Sequence, residues 1–327
     1  MENEQNCYWL DQFLDYFQAI KERSPNTIRE YRYDISLFLR FLVNRRAGGN
    51  LPLEEISIAD VDEKFLRSIK LTDMYAFVSW LSTARKNSPN ARARRISSIR
   101  SFFNYLKNKA RIIAENPAAD LESPKLMKKL PKHLTLDESQ QLLAKAAANP
   151  SEWSSRDYCI LTFFLNCGLR LSELCSIDME NIKEDTLTVI GKGGKERTVY
   201  LNSACLAALE DYLDTRPAID GEHARALFLS RLKRRISPKT VQWTIKNYII
   251  SIGLDPKRYS VHKLRHTAAT LMYKYGHVDI RALQAILGHS SISTTEIYTH
   301  IDQDALHNAV ESNPLNQVRK NDEKSGV

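Results

Sequence analysis

A small set of side chains in the second half of the chain combines the chemistries needed to break and remake a phosphate ester. Arg170 follows Cys167-Gly168-Leu169, where one helix would end and the next begin, with Glu173 three residues on. Lys192 lies in the run Gly191-Lys192-Gly193-Gly194-Lys195. His262, Arg265 and His266 fall within His262-Lys263-Leu264-Arg265-His266. His289 closes Leu287-Gly288-His289, and Tyr298 stands in Thr295-Glu296-Ile297-Tyr298-Thr299-His300. A guanidinium offers a planar fork to two phosphate oxygens, so Arg170 and Arg265 suit the charge stabilisation that phosphoryl transfer requires. A phenol with a pKa near ~10 becomes a nucleophile only where neighbouring charge favours its ionised form. Histidine and lysine move protons.

Taken singly, each of these residues has an ordinary reading. An arginine at a helix start is usually a surface or ion-paired residue, a tyrosine usually packs, and a lysine in a hairpin is usually solvated. Lys195 and Arg197 compete with Lys192 for the basic role in the hairpin. His262 and His266 have the H-x-x-x-H spacing of a zinc pair. Lys263 stands where the zinc-protease signature has its glutamate, and no third ligand is apparent, so no metal is expected.

The elements that must hold these residues are mostly helices. Trp9, Leu10, Phe13, Leu14 and Phe17 recur at helical spacing. Ser24-Pro25 opens a second helix carrying Ile28, Tyr31, Ile35, Phe38, Leu39 and Leu42, which stops near Ala47-Gly48-Gly49. Met74, Phe77, Val78 and Leu81 mark a third. Ser88-Pro89 opens a fourth, with Ile96, Ile99, Phe103 and Leu106 inward and its arginines on the other faces. Together they predict a four-helix module over residues 1–116 and a basic linker over 117–133. A second, mostly helical domain follows over 134–327, begun by the capping pair Thr135 and Glu138. Within it, residues 186–190 and 197–201 read as a small β-hairpin, and helices are expected near 203–215, 238–251, 261–274, 279–287, 293–299 and 302–311.

With 327 residues, 43% of them hydrophobic and only 11 glycines, the chain can bury two helical cores. Its 47 Lys and Arg against 39 Asp and Glu give a net charge of +8, compatible with a polyanionic partner. The distribution says more. From Met74 to Ala114 there is no acidic residue, while Arg92, Arg94, Arg95 and Arg100 cluster there, and one face of the fourth helix is expected to meet DNA phosphates. Five cysteines without a C-x-x-C pair predict reduced thiols. An acidic N-terminus and the lack of any long apolar run predict a soluble cytoplasmic protein without a membrane segment.

The ordered set Arg170, Lys192, His262, Arg265, His289 and Tyr298 resembles the tyrosine recombinase (lambda-integrase) family, and within it the bacterial Xer-type enzymes. The resemblance covers nearly the whole chain: in pattern over the first 115 residues and in specific motifs from Thr135 to Pro314. It implies a helical core-binding domain followed by a catalytic domain, and site-specific recombination through a 3′-phosphotyrosyl intermediate without cofactor, metal or ATP. The tasks it implies are chromosome or plasmid dimer resolution, or integration and excision of a mobile element. Tyr298 would be the nucleophile, Arg170 and Arg265 the phosphate clamp, and Lys192 the acid for the leaving 5′-oxygen, reached from the minor groove. His262 would take the Tyr298 proton or bond a non-bridging oxygen. His289 would donate to the phosphate, where other members carry Trp, and Glu173 would orient the site. Implied partners are a double-stranded recombination site, a homotetramer on two sites or a heterotetramer with a related recombinase, and a DNA translocase or directionality factor. The apolar stripe Ala305, Leu306, Ala309 and Val310 would belong to a helix that docks on a neighbouring subunit. A type IB topoisomerase, which shares the chemistry, and a non-catalytic DNA-binding regulator are the competing classes.

Overall fold

The computed structural model describes residues 7–49, 51–125, 132–191, 194–276, 278–288 and 295. The chain forms two compact units, Met1–Lys128 and Lys129–Val327.

In the first unit, helices α1 (Tyr8–Ala19), α2 (Pro25–Arg46), α3 (Glu63–Arg67), α4 (Leu71–Thr83) and α5 (Pro89–Asn108) surround one apolar core. The two long helices begin alike. Ser24 and Ser88 each accept a hydrogen bond from the backbone amide three residues on, and a proline occupies the first turn, where no amide is needed. Phe13 meets Phe102 edge-on with centroids 5.4 Å apart, and Phe38 meets Phe77 at 5.2 Å. Four helices are expected from periodicity, and the structure adds α3. That helix has one buried residue, Leu66, and is too short to show a period. The core also runs past Asn116 to take in Ala118 and Leu121, so the start of the basic linker packs with the first unit.

The arginines of α5 do not all stand on outer faces. Arg94 grips the fully buried Asp34 of α2 through both terminal nitrogens, at 2.7 and 2.9 Å, and Ser98 donates to the same carboxylate at 2.8 Å. Arg95, only 8% exposed, lies 3.5 Å from it. Arg92 bonds Ser82, and Arg100 bonds the Leu121 carbonyl. An acid-free stretch of sequence is therefore not free of counter-charge in the fold, because α2 supplies buried Asp34 and exposed Glu30, both paired with Arg94.

Burial pushes the Asp34 carboxyl above its ordinary range, against the pull of Ser98, Arg94 and Arg95, so the pair itself contributes little net stability. Deleting the carboxylate is costly because it leaves Arg95 buried beside no anion. Asp34→Ala is expected to lower unfolding stability by ~3 kcal/mol, read from urea denaturation. A midpoint equal to wild type would show that these arginines find other partners.

In the second unit, α6 (Leu136–Ala147) starts with the expected reciprocal cap. Thr135 accepts from the Glu138 amide at 3.1 Å, and Glu138 accepts from the Thr135 amide at 2.8 Å. Helix α7 (Ser154–Cys167) is buried on nearly every side and packs against α6, α9 (Ser203–Thr215) and α11 (Val261–Tyr275). Helix α8 (Leu171–Ser176) leads into an antiparallel sheet of order β1-β2-β3: β1 (Ile182–Lys183), β2 (Thr186–Ile190) and β3 (Glu196–Tyr200). The hairpin β2–β3 is the one expected, while the two-residue β1 is too short to signal itself. Helices α10 (Pro238–Ser251) and α12 (Ile280–Leu287) complete the described elements. The helices expected near 293–299 and 302–311 lie outside the described residues, apart from buried Thr295. All five cysteines are free and buried. Among the described residues no helix is long and apolar enough to cross a membrane, and no group of three His, Cys, Asp or Glu could hold a metal ion.

Candidate active site

The site begins where α7 stops. Gly168 takes a left-handed conformation (φ 61°), which ends the helix and turns the chain. A side chain there would also collide, since an added Cβ would lie 2.9 Å from a Leu287 methyl. Buried Leu169 then anchors the turn, and Arg170 becomes the residue preceding α8. Glu173 caps this helix backwards: its Oε2 accepts the Arg170 amide at 2.7 Å, and its Oε1 accepts Arg170 Nη1 at 2.6 Å. Glu173 thus holds both the backbone and the side chain of Arg170.

Arg265 comes from the buried face of α11 and is 3% exposed. Its Nη1 donates to the Gly168 carbonyl at 2.7 Å and its Nη2 to the Leu287 carbonyl. The same Nη1 lies 3.9 Å from Glu173 Oε2. Arg170 Nη2 donates to the Gly288 carbonyl at 2.8 Å. A third guanidinium joins them from β3. Arg197 bonds both Glu173 oxygens, at 2.7 and 3.1 Å, and the Ile286 carbonyl at 3.1 Å.

One physical pattern explains the cluster. The carbonyls at the ends of α7 and α12 have no intrahelical partners and carry the negative end of the helix dipoles. Three arginines satisfy them while surrounding one carboxylate, so this cluster is net positive and fitted to an anion. Burial by itself would raise the Glu173 carboxyl, but the Arg197 and Arg170 hydrogen bonds outweigh it and hold the carboxyl below its ordinary value.

His262 stands one turn before Arg265 on α11, its ring edge-on to His266 with centroids 4.6 Å apart. Partial burial, then the charges of Arg265, Lys263 and Arg170, hold its imidazole below the usual value. The shift favours the neutral form, which can accept a proton.

Four expected residues, Arg170, Glu173, His262 and Arg265, thus come together from two helices far apart in sequence. Lys192, His289 and Tyr298 lie outside the described residues. The described neighbours of Lys192 and His289 are at the site: an added Cβ on Gly191 would be 3.8 Å from both Arg170 Nη1 and Glu173 Oε1, and the Gly288 carbonyl is an acceptor for Arg170. From sequence, Arg197 is only a rival to Lys192. Its one local signal is its place on the inward side of β3, two residues before buried Val199, where a charged side chain needs partners.

Both parts of the chain match known protein families. The profile of the phage integrase family matches residues 132–304, and that of the phage integrase N-terminal SAM-like domain matches residues 10–70. The chain is 53% identical to tyrosine recombinase XerC of Caldanaerobacter subterraneus subsp. tengcongensis, over 94% of this chain and 87% of that protein. It is 35% identical to tyrosine recombinase XerD of Vibrio cholerae serotype O1, over 91% of this chain and 93% of that one. In fold it is similar to the XerH site-specific recombinase solved in a post-cleavage complex with palindromic difH substrate. The TM-score is 0.69 at 20% identity, covering 93% of this chain and 84% of that one. The chain belongs to the phage integrase family of tyrosine recombinases, which cleave DNA at specific sites and rejoin it.

Proposed function

We propose that this chain cuts one DNA strand at a specific site by attack of Tyr298 on the scissile phosphate. The P–O5′ bond breaks, a Tyr298–O–P bond forms at the 3′ side, the phenolic proton passes to His262, and Lys192 protonates the leaving 5′-oxygen. A 5′-hydroxyl from a partner duplex reverses the steps, so the ester energy is conserved in the protein link. The observation that supports this reading best is the net-positive cluster of Arg170, Arg265 and Arg197 around one buried carboxylate, with a neutral histidine one turn from Arg265. It offers charge stabilisation to a phosphoryl group and a proton acceptor within one site. His289 would add a hydrogen bond to the phosphate. Arg92, Arg94 and Arg100 would follow the DNA backbone from α5, while buried Arg95 supports the module beneath them. The reaction would take place in the cytoplasm, with four subunits on two sites, either identical or shared with a related recombinase. A DNA translocase or directionality factor would regulate it.

The test is covalent capture. A randomised pool of nicked duplexes is incubated with the protein, and the DNA that co-migrates with it under denaturing conditions is recovered. A link sensitive to protease is expected. Binding without any adduct would leave only a DNA-binding protein.

His262 gives the reaction a pH dependence. With its pKa below the ordinary ~6.5, the imidazole is neutral above that value and loses its acceptor role as pH falls through it. Single-turnover cleavage is therefore expected to be flat near neutrality and to fall on the acid side, with His262→Gln slow throughout. A rate that rises on acidification would remove His262 as proton acceptor.

Deleting residues 301–327, which lie outside the described residues, is expected to spare binding to one half-site. It should abolish cooperative occupancy of a full site, because the Ala305, Leu306, Ala309 and Val310 stripe needs a surface to cover. Gel-shift titration of half and full sites measures this, and equal cooperativity in the truncated chain would refute subunit docking through that stripe.

A further inference from the structure

We propose that Arg197 is a positioning residue for the cleavage reaction, fixing the geometry between Arg170 and the end of α12. The inference rests on the functional reading above and gives Arg197, so far only one charge of the cluster, a role of its own.

All three guanidinium nitrogens of Arg197 are committed to protein acceptors. Nη1 and Nη2 take the two oxygens of Glu173 at 2.7 and 3.1 Å, and Nε takes the Ile286 carbonyl at 3.1 Å. The side chain is 13% exposed, so these bonds are made largely out of water. With Nε bonded as well and the side chain well covered, Arg197 is less open to a phosphate than Arg170, whose side chain is 32% exposed. What it does instead is join two elements that never meet in sequence. Glu173 is the carboxylate that orients the Arg170 guanidinium. Ile286 belongs to the last turn of α12, whose Gly288 carbonyl receives the other end of that guanidinium at 2.8 Å. Arg197 therefore braces both supports of Arg170 at once.

The fit is close on the far side as well. Gly288 is left-handed (φ 62°), and an added Cβ there would lie 2.8 Å from Arg197 Cδ and 3.1 Å from its Nε. The chain therefore leaves α12 at Gly288 across the Arg197 stem. On its own strand Arg197 pairs with Val189 of β2, three residues before Lys192. Glu173, the end of α12 and strand β2 thus converge on one side chain. Lysine cannot replace it, because a single ammonium cannot bond both carboxylate oxygens in plane and the carbonyl together.

The experiment compares wild type, Arg197→Gln, Arg197→Lys, Glu173→Gln and the Arg197→Gln/Glu173→Gln double variant. Single-turnover cleavage of the nicked duplex recovered by covalent capture is measured at saturating protein, and affinity for the same duplex by gel shift. Misplacement of a catalytic group by about 1 Å costs about 100-fold in rate, and a loss of that order is expected for Arg197→Gln with affinity unchanged. Arg197→Lys, which keeps a charge beside Glu173, should recover part of the rate. The double variant should be no slower than the slower single one, since both act through one link. A role in folding alone would instead lower affinity and rate together. Wild-type cleavage by Arg197→Gln, losses that multiply in the double variant, or a rate that falls only in step with affinity would each overturn the proposal. If Arg197→Gln does not fold, Arg197→Lys decides by the same split of rate from affinity. Failure of wild type to form any adduct would instead overturn the functional reading beneath it.

Discussion

Tyr298→Phe is expected to bind its DNA as wild type does and to form no covalent adduct. The substitution removes one oxygen and keeps the ring, so packing and charge are preserved and only the nucleophile is lost. The expectation follows from what the site can and cannot supply. A phenol with a pKa near ~10 is mostly protonated at neutral pH, and it reacts only where positive charge and a proton acceptor favour its anion. In the proposed reaction the cluster of Arg170, Arg197 and Arg265 would supply the first, and His262 the second. A nicked duplex traps the adduct, because the short strand released by cleavage diffuses away and religation fails. An adduct of normal yield from the Phe variant would mean that another residue attacks, and peptide mapping of the linked DNA would name it.

Arg170→Ala is expected to slow single-turnover cleavage by about 100- to 1,000-fold, the cost of removing one preorganised donor from a developing charge. Its effect on folding should be small, for a reason visible in the hydrogen bonds. Glu173 keeps the two Arg197 bonds and the amide of residue 170 when the Arg170 side chain is gone, so no buried carboxylate is left alone. Arg170 is also the most exposed of the three arginines, with 32% of its side chain accessible. Arg265→Ala would be a poorer experiment. That side chain is 4% exposed and ties the Gly168 and Leu287 carbonyls, so its loss disturbs the fold and the chemistry together. Rates measured at saturating protein, beside a melting curve for each variant, separate the two. A near-normal rate for folded Arg170→Ala would place the phosphate clamp elsewhere.

Much of this protein could be read from local sequence. Ser24-Pro25, Ser88-Pro89 and the Thr135/Glu138 pair start helices where expected, because a cap is an interaction over three residues. The helices at 203–215 and 238–251 and the β2–β3 hairpin follow from period and turn chemistry on the same short scale. Arg170 and Glu173 are equally local, being three residues apart at the start of one helix. Elements too short to show a period, α3 and β1, were invisible for that reason.

Tertiary structure decided the pairings over long separations. Nothing in the acid-free stretch around Arg94 indicates that Asp34, 60 residues earlier, will lie beneath it. Arg197 looks like a hairpin residue until β3 turns its side chain toward Glu173, 24 residues back, and Ile286, 89 residues on. Arg170 meets Gly288 across 118 residues. Sequence determined which side chains could do the chemistry and which helices would carry them, because caps and periods are short-range. Only the packing of α7, α11 and α12 decided which carbonyls and which carboxylate those arginines would meet. Each of those acceptors becomes a partner only when two helix ends and a strand are brought to one place.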